Sequence, residues 1–149
     1  MKKYMIVFLI VMVAAFGAVT PAQKITDNEK EAKAMLDKAK KEKIVENRIA
    51  LATEAIKLKE DFIDAYIFRG EQYLSNNRSD NAVLDFSKAI VISDTCSGAY
   101  FQRGKIYRLM KIYSLAREDF SLALNLDPGN LDIRKQRDEI ADSVDVPRE

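Results

Sequence analysis

The sequence predicts an all-α fold: an α-solenoid of about three helical hairpins with a C-terminal capping helix. Three observations predict it. First, residues recur at a spacing of 34. Ala65, Tyr66, Arg69, Gly70, Tyr73, Ala82, Asp85, Phe86, Ser87 and Ala89 return as Ala99, Tyr100, Arg103, Gly104, Tyr107, Ala116, Asp119, Phe120, Ser121 and Ala123. Ten identities in 34 places compare with roughly two expected by chance at ordinary composition. A fixed period of this size marks stacked supersecondary units, none of which buries its apolar face alone. Second, apolar residues within a unit fall at helical spacing, as in Ala82, Val83, Phe86, Ala89 and Ile90. Third, 48% of the 149 residues are apolar and 32% are charged, which suits a folded helix-rich domain and argues against disorder.

The first 22 residues stand apart. Lys2 and Lys3 precede an uncharged apolar run from Tyr4 to Val19, and Thr20-Pro21-Ala22-Gln23 then changes the composition sharply. A basic start, a short apolar stretch and small residues near its end describe a signal peptide over residues 1–22, cleaved after Ala22, with Gly17 as a second cleavage point. The apolar run would make about 24 Å of helix against a ~30 Å hydrocarbon core, so a retained membrane anchor is the alternative. No cysteine follows the run, which excludes a lipoprotein anchor. The expected compartment is outside the cytosol, periplasmic or extracellular, and the Lys-Lys start and Ala-Gln junction have a bacterial look. Retention would instead make the chain an inner-membrane tether.

Residues 23–149 form the expected helical domain. Thr26 with Glu29 reads as a capping box opening a helix over residues 29–42, followed by a second over residues 44–59. No Gly, Pro or Asn marks the turn between them, so one long bent helix competes with a hairpin. The link to the later units is Ala55-Ile56-Lys57-Leu58, which precedes Ala89-Ile90-Val91-Ile92 and Ala123-Leu124-Asn125-Leu126 by steps of 34. Residues 64–75 make the next helix. Asn76-Asn77-Arg78-Ser79-Asp80 is a turn cluster, since Asn tolerates left-handed backbone and Ser or Asp caps a following helix. A helix over residues 80–92 completes that hairpin. Its copy runs over residues 99–110 and 113–126 around a turn at Lys111 and Ile112. Asp127-Pro128-Gly129-Asn130 ends it, because Pro cannot continue a helix and Gly permits the reversal. Asn130 caps a last helix over about residues 131–144, whose polar outer face suits a terminal unit. The three units cover about residues 29–62, 63–96 and 97–130.

Composition excludes several function classes. The absence of histidine removes His-dependent triads, His acid–base chemistry and His-ligated metal sites. Cys96 is the single cysteine, so no intrachain disulfide or thiolate cluster forms, and Asp94-Thr95-Cys96-Ser97-Gly98 offers no base to activate it. No phosphate-binding Gly loop, serine-nucleophile motif or calcium loop is present. Glu60-Asp61 and Glu118-Asp119 are adjacent on helices and do not face one site. The formal charge of +1 becomes −1 once Lys2 and Lys3 are removed, leaving 22 basic against 23 acidic residues, with no nucleic-acid footprint. No enzyme activity, cofactor or metal is expected. The Lys-rich run at Lys38, Lys40, Lys41 and Lys43 reads as a solvated helix face, with contact to anionic lipid as its alternative.

The spacing Tyr66-x2-Arg69-Gly70-x2-Tyr73 followed by Ala82-x3-Phe86-x2-Ala89 resembles the tetratricopeptide repeat. The copy Tyr100, Gly104, Tyr107, Ala116, Phe120, Ala123 and Pro128 is similar to it more fully. The departures are Tyr for Trp at 66 and 100, Arg69 and Arg103 for Leu, and Asp94 where Pro is the pattern. In physical terms, Gly70, Gly104, Ala82 and Ala116 remove side chains where helices cross, and the aromatic rings fill the adjoining space.

The Arg and Asp columns switch together. The first unit holds Met35 and Leu51 where the later ones hold Arg69 with Asp85 and Arg103 with Asp119. Pairing of each Arg with an Asp, of its own hairpin or a neighbour's, is expected, because a lone buried charge costs several kcal/mol while a paired one roughly breaks even. The alternative is an Arg pair that receives ligand carboxylates. The resemblance also implies a concave groove lined by the first helix of each hairpin, in which a protein or peptide partner lies. That face would present Lys33, Asp37 and Lys40, then Ile67, Glu71 and Leu74, then Phe101, Lys105 and Arg108. Some members of the family clamp a terminal carboxylate with Lys, Asn and Arg. Only Lys33 fits that scheme, the other places holding Asp37, Phe68, Gly98 and Gln102, so no such clamp is expected. The expected role is a non-catalytic adaptor or scaffold, with an accessory subunit of an envelope complex and self-association through the ends of the stack as alternatives.

Overall fold

The computed structural model describes residues 20–144, and the expected leader therefore lies almost wholly outside the described residues. Seven helices occupy the described part: α1 Pro21–Lys41, α2 Val45–Leu58, α3 Ile63–Ser75, α4 Ser79–Ile92, α5 Ser97–Leu109, α6 Tyr113–Leu126 and α7 Leu131–Val144. Each packs chiefly on the next, giving three antiparallel hairpins and a final helix. None of the described helices is long and apolar enough to cross a membrane.

One expectation for the first hairpin is corrected. Helix α1 starts at Pro21 rather than at Glu29: Thr20 Oγ1 accepts from Gln23 N at 3.2 Å, and Pro21 sits where a missing N–H costs nothing. Thr26 does not cap; its hydroxyl donates to the Gln23 carbonyl at 2.8 Å within the helix. Glu29 does not close a capping box but pairs with Lys59 at 2.9 Å and Lys33 at 3.3 Å, which together hold its carboxyl below the ordinary carboxylate range. The expected hairpin forms, and not the competing single bent helix, since residues 42–44 break the chain. A side chain makes this break in place of Gly, Pro or Asn. One Glu42 carboxylate oxygen accepts from Lys43 N at 2.7 Å and Ile44 N at 3.2 Å, and these bonds lower its pKa. Arg48 Nε then donates to the Glu42 carbonyl at 2.7 Å.

The other two turns share one geometry. Asn77 and Lys111, 34 residues apart, both adopt left-handed backbone with φ of 56° and 62°. Around them Arg78 N donates to the Tyr73 carbonyl and Ile112 N to the Tyr107 carbonyl, each at 2.8 Å, closing the helix end in the Schellman manner. Neither Ser79 nor Asp80 caps α4 with its side chain, contrary to expectation, because this turn already fixes the entry of the chain. Lysine carries the full left-handed penalty that asparagine partly avoids. Lys111→Asn is accordingly expected to stabilise the domain by about 0.5 kcal/mol, read as a higher thermal unfolding midpoint. Asn130 caps α7, accepting from Ile133 N at 3.3 Å.

The core runs the length of the stack. Ala32, Leu36, Ala55, Ile56, Phe62, Ala65, Tyr66, Ala89 and Ala99 form its first part. Ala82, Phe86 and Ile106 form the middle, and Tyr100, Ala116, Phe120, Ala123, Ile133 and Ile140 the last. Alanines at the repeat positions are fully buried, so neighbouring helices approach closely and the aromatic rings fill what remains. Helix α7 keeps the period: Arg137 stands 34 residues after Arg103, which makes α7 the first helix of a fourth unit in register.

Candidate functional site

The repeated arginines are built into the hairpins. Arg69 donates through Nε and Nη2 to both oxygens of Asp85 at 2.8 and 2.7 Å. Arg103 does the same to Asp119 at 2.9 and 2.8 Å. Both carboxylates are nearly sealed from water, with side-chain exposures of 6% and 3%. Each guanidinium lies between the faces of its own two repeat tyrosines, Arg69 at 5.7 and 5.8 Å from Tyr66 and Tyr73, Arg103 at 5.8 and 5.9 Å from Tyr100 and Tyr107. Hydrogen bonding to the carboxylate raises both arginine pKa values further, while burial pushes the Tyr66 phenol up.

The remaining guanidinium nitrogen reaches backward across the hairpin boundary. Arg69 Nη1 donates to Thr53 Oγ1 at 2.9 Å, and Arg103 Nη1 to Ser87 Oγ at 3.0 Å. Sequence reasoning missed this third partner, although Thr53, Ser87 and Ser121 form a hydroxyl column at the same spacing of 34. Each guanidinium nitrogen thus has a partner inside the stack, and the Nε–Nη2 edge of each arginine is taken by its own Asp.

The residues expected to line a groove come from the first helices of the three hairpins. On α1, Lys33, Asp37 and Lys40 are exposed; Lys33 pairs with Glu29, and Lys40 lies 4.0 Å from Asp37. On α3, Glu71 is exposed, whereas Ile67 and Leu74 are half-buried against the middle of the core. On α5, Phe101, Lys105 and Arg108 are half-buried. Phe101 tilts against Phe120 at 5.8 Å, and the Lys105 ammonium sits 5.2 Å from the Phe101 ring. Neighbouring first helices are tied by Gln102 Nε2 donating to Glu71 Oε1 at 3.4 Å and by Arg108 pairing with Glu139 at 3.2 Å. A hollow of about 230 Å³ opens between α1 and α3, lined by Lys33, Leu36, Asp37, Lys40, Phe62 and Asp64. Among the described residues, no group of three or more Cys, Asp and Glu side chains is placed to hold a metal ion.

Antiparallel alternation also sorts charge by edge. The turns within hairpins lie at one edge of the stack and the linkers between hairpins at the other. The turn edge, residues 38–45, 75–80 and 108–113, carries seven basic and two acidic side chains. The linker edge, residues 59–64, 93–98 and 127–132, carries one basic and six acidic. Glu139 reaches the turn edge from α7 and meets Arg108 there. A cavity of about 450 Å³ lies beside it, lined by Arg108, Leu109, Lys111, Tyr113, Glu139 and Ile140.

Comparison with known proteins agrees with this architecture. The sequence model of the tetratricopeptide repeat matches residues 97–130, the third hairpin. Human tetratricopeptide repeat protein 12 is 28% identical over 83 residues, 56% of this chain, and the chain spans only 12% of that protein's length. The tetratricopeptide-repeat domain of Arabidopsis OM64 superposes with a TM-score of 0.73 at 27% identity, over 78% of this chain and 98% of that one. The second such domain of human RPAP3, solved with the HSP70 peptide SGPTIEEVD, superposes at 0.69 with 23% identity, over 78% and 98%. The third hairpin therefore matches the tetratricopeptide repeat, and the described helices share the fold of solved tetratricopeptide-repeat domains.

Proposed function

We propose that the domain is a non-catalytic adaptor that holds an extended segment of another protein along α1, α3 and α5. The observation that carries this reading is the convergence of Lys33, Asp37 and Lys40 with Phe62 and Asp64 around the hollow between α1 and α3. A similar fold, that of RPAP3, holds a peptide in its solved complex, which supports the reading. The rim mixes Lys33, Lys40, Lys105 and Arg108 with Asp37 and Glu71, so a segment of alternating charge with one or two apolar anchors fits it best. Lys33 is the only residue present for a clamp on a terminal carboxylate, and recognition rests on the interior of the bound segment. The basic and apolar start of the chain supports action outside the cytosol, the first residues being removed as a signal peptide. A mature protein whose mass spectrum begins at Gln23 agrees with that; one retaining Lys2 and the apolar run does not.

The groove is tested by comparing what the parent and its groove variants recover from an extract of the native host. Phe101→Asp and Leu74→Asp probe the apolar anchors, and the exposed Lys33→Glu with Lys40→Glu probes the rim without touching the core. Loss of the same partner in all three, with helical content unchanged by circular dichroism, is the expected result. Equal recovery by parent and variants would remove this face from the function.

A further inference from the structure

We infer that the turn edge of the stack docks on an anionic lipid surface, a role separate from the groove and independent of it. The observation is a contrast between hairpins. At the repeat positions where the second hairpin places Ser75, Asn76 and Arg78 in its turn, the third places Leu109, Met110 and Ile112, all exposed, with Leu109 at 72%. The first hairpin repeats the feature with Ile44, 56% exposed. Core packing does not require apolar side chains there, since the second hairpin folds around the same turn geometry with polar ones. Two greasy tips therefore project from one edge, separated by a polar one.

Cations surround those tips. Four lysines fall within residues 38–43, and the ion pairs of the first hairpin engage Lys33, Lys40, Lys57 and Lys59 while leaving Lys41 and Lys43 outside them. Clusters of this density attract anionic headgroups, and side chains such as Leu and Met at a protruding tip enter the boundary between headgroups and acyl chains. Long lysine stems around exposed apolar tips match a fluid surface whose charge has no fixed geometry. The acidic linker edge opposes any inverted approach, so a chain of almost zero net charge still has one preferred orientation.

The test uses the mature chain, residues 23–149, in a Cys96→Ser background, with an environment-sensitive fluorophore on Met110→Cys at the turn edge or on Thr95→Cys at the linker edge. Phosphatidylcholine vesicles are compared with and without phosphatidylglycerol. The expected result is a blue shift at position 110 with anionic vesicles only, none at position 95, reversal by salt, and partitioning reduced ~tenfold or more by Lys41→Glu with Lys43→Glu. Four outcomes would each overturn the inference: no shift at position 110, the same shift with neutral vesicles, equal shifts at both positions, or a shift that grows with protein concentration without vesicles. The last would assign the tips to a second copy of the chain, whose acidic edge complements them. The groove variants Phe101→Asp and Leu74→Asp, which add no change to the lysine cluster, are expected to leave the shift unchanged, so failure of one reading is distinguishable from failure of the other.

Discussion

Asp119→Ala is expected to cost the domain about 3 kcal/mol, at the lower end of the ~3–5 kcal/mol typical when one partner of a buried ion pair is removed. The carboxylate is sealed from water and satisfies two guanidinium nitrogens at once, so its loss leaves Arg103 with a charge, two empty donor directions and Ser87 as its remaining hydrogen-bond partner between the two tyrosine rings. The Arg103 side chain keeps 20% of its exposure, and turning its head toward solvent recovers part of the cost. Asp85→Ala should behave alike, since Arg69, Asp85 and Thr53 repeat the geometry. Urea unfolding measures both. A loss below about half a kcal/mol would mean that the pair contributes no more than a surface contact.

The first hairpin shows what replaces the pair. Met35 and Leu51 occupy the same two places, with Met35 packed against the first part of the core. Arg69→Met combined with Asp85→Leu should therefore stay within about 1 kcal/mol of the parent, because an apolar pair of similar volume removes the desolvation cost together with the attraction. The double-mutant cycle would show strong coupling between two residues whose joint removal is nearly neutral. The bidentate fork fixes how the first helix of a hairpin sits on the second, and the third nitrogen fixes it on the hairpin before. Specification of this angle gives a physical reason to keep ionic cross-links that add little net stability.

Much of this architecture was legible in the sequence, for reasons that differ by element. The ends of α6 and the start of α7 follow expectation to the residue, because Asp127-Pro128-Gly129-Asn130 encodes termination and capping in side chains with one dominant use. The first turn was placed without a turn residue to mark it, because Glu42 performs it, and nothing in composition separates a glutamate that bonds two backbone N–H groups from one on a helix face. Helix α1 began early because Thr20 and Pro21 form a start signal as good as Thr26 and Glu29, and the earlier start adds backbone hydrogen bonds. For the candidate groove, periodicity identified which helices share a face but not how open each residue is. Ile67 and Leu74 are half-buried against a cluster that includes Ile106 of the next hairpin, and Phe101 packs on Phe120 of its own, and that coverage depends on tertiary packing. The separation of charge between edges has the same origin: it becomes visible only once alternate turns are known to fall on opposite sides.

Phe120→Ala is expected to cost about 4 kcal/mol, within the ~3–5 kcal/mol range for truncating a buried aromatic ring. Phe120 is fully buried, it tilts against Phe101, and its ring occupies the space where Gly104 has no side chain. A Cβ on Gly104 would stand 2.8 and 2.9 Å from two ring carbons and 3.2 Å from the Asp119 Cβ, so the ring would have to move and the ion-paired helix beneath it could not yield. Gly104→Ala alone gains ~1 kcal/mol of helix propensity and loses ~1–3 kcal/mol to overpacking, for a net loss of about 1 kcal/mol. In a Phe120→Leu background the shorter side chain vacates that space, and the same Gly104→Ala change should become neutral or stabilising by up to ~1 kcal/mol. Gly70→Ala should cost less than Gly104→Ala, because its nearest approach to Phe86 is 3.0 Å and involves only ring carbons. The sign reversal is the informative quantity, measured by urea unfolding of the four variants in the cycle. If Gly104→Ala stabilises the parent domain, the helices of the third hairpin are not held apart by this ring, and the close glycine–aromatic contact does not set their spacing.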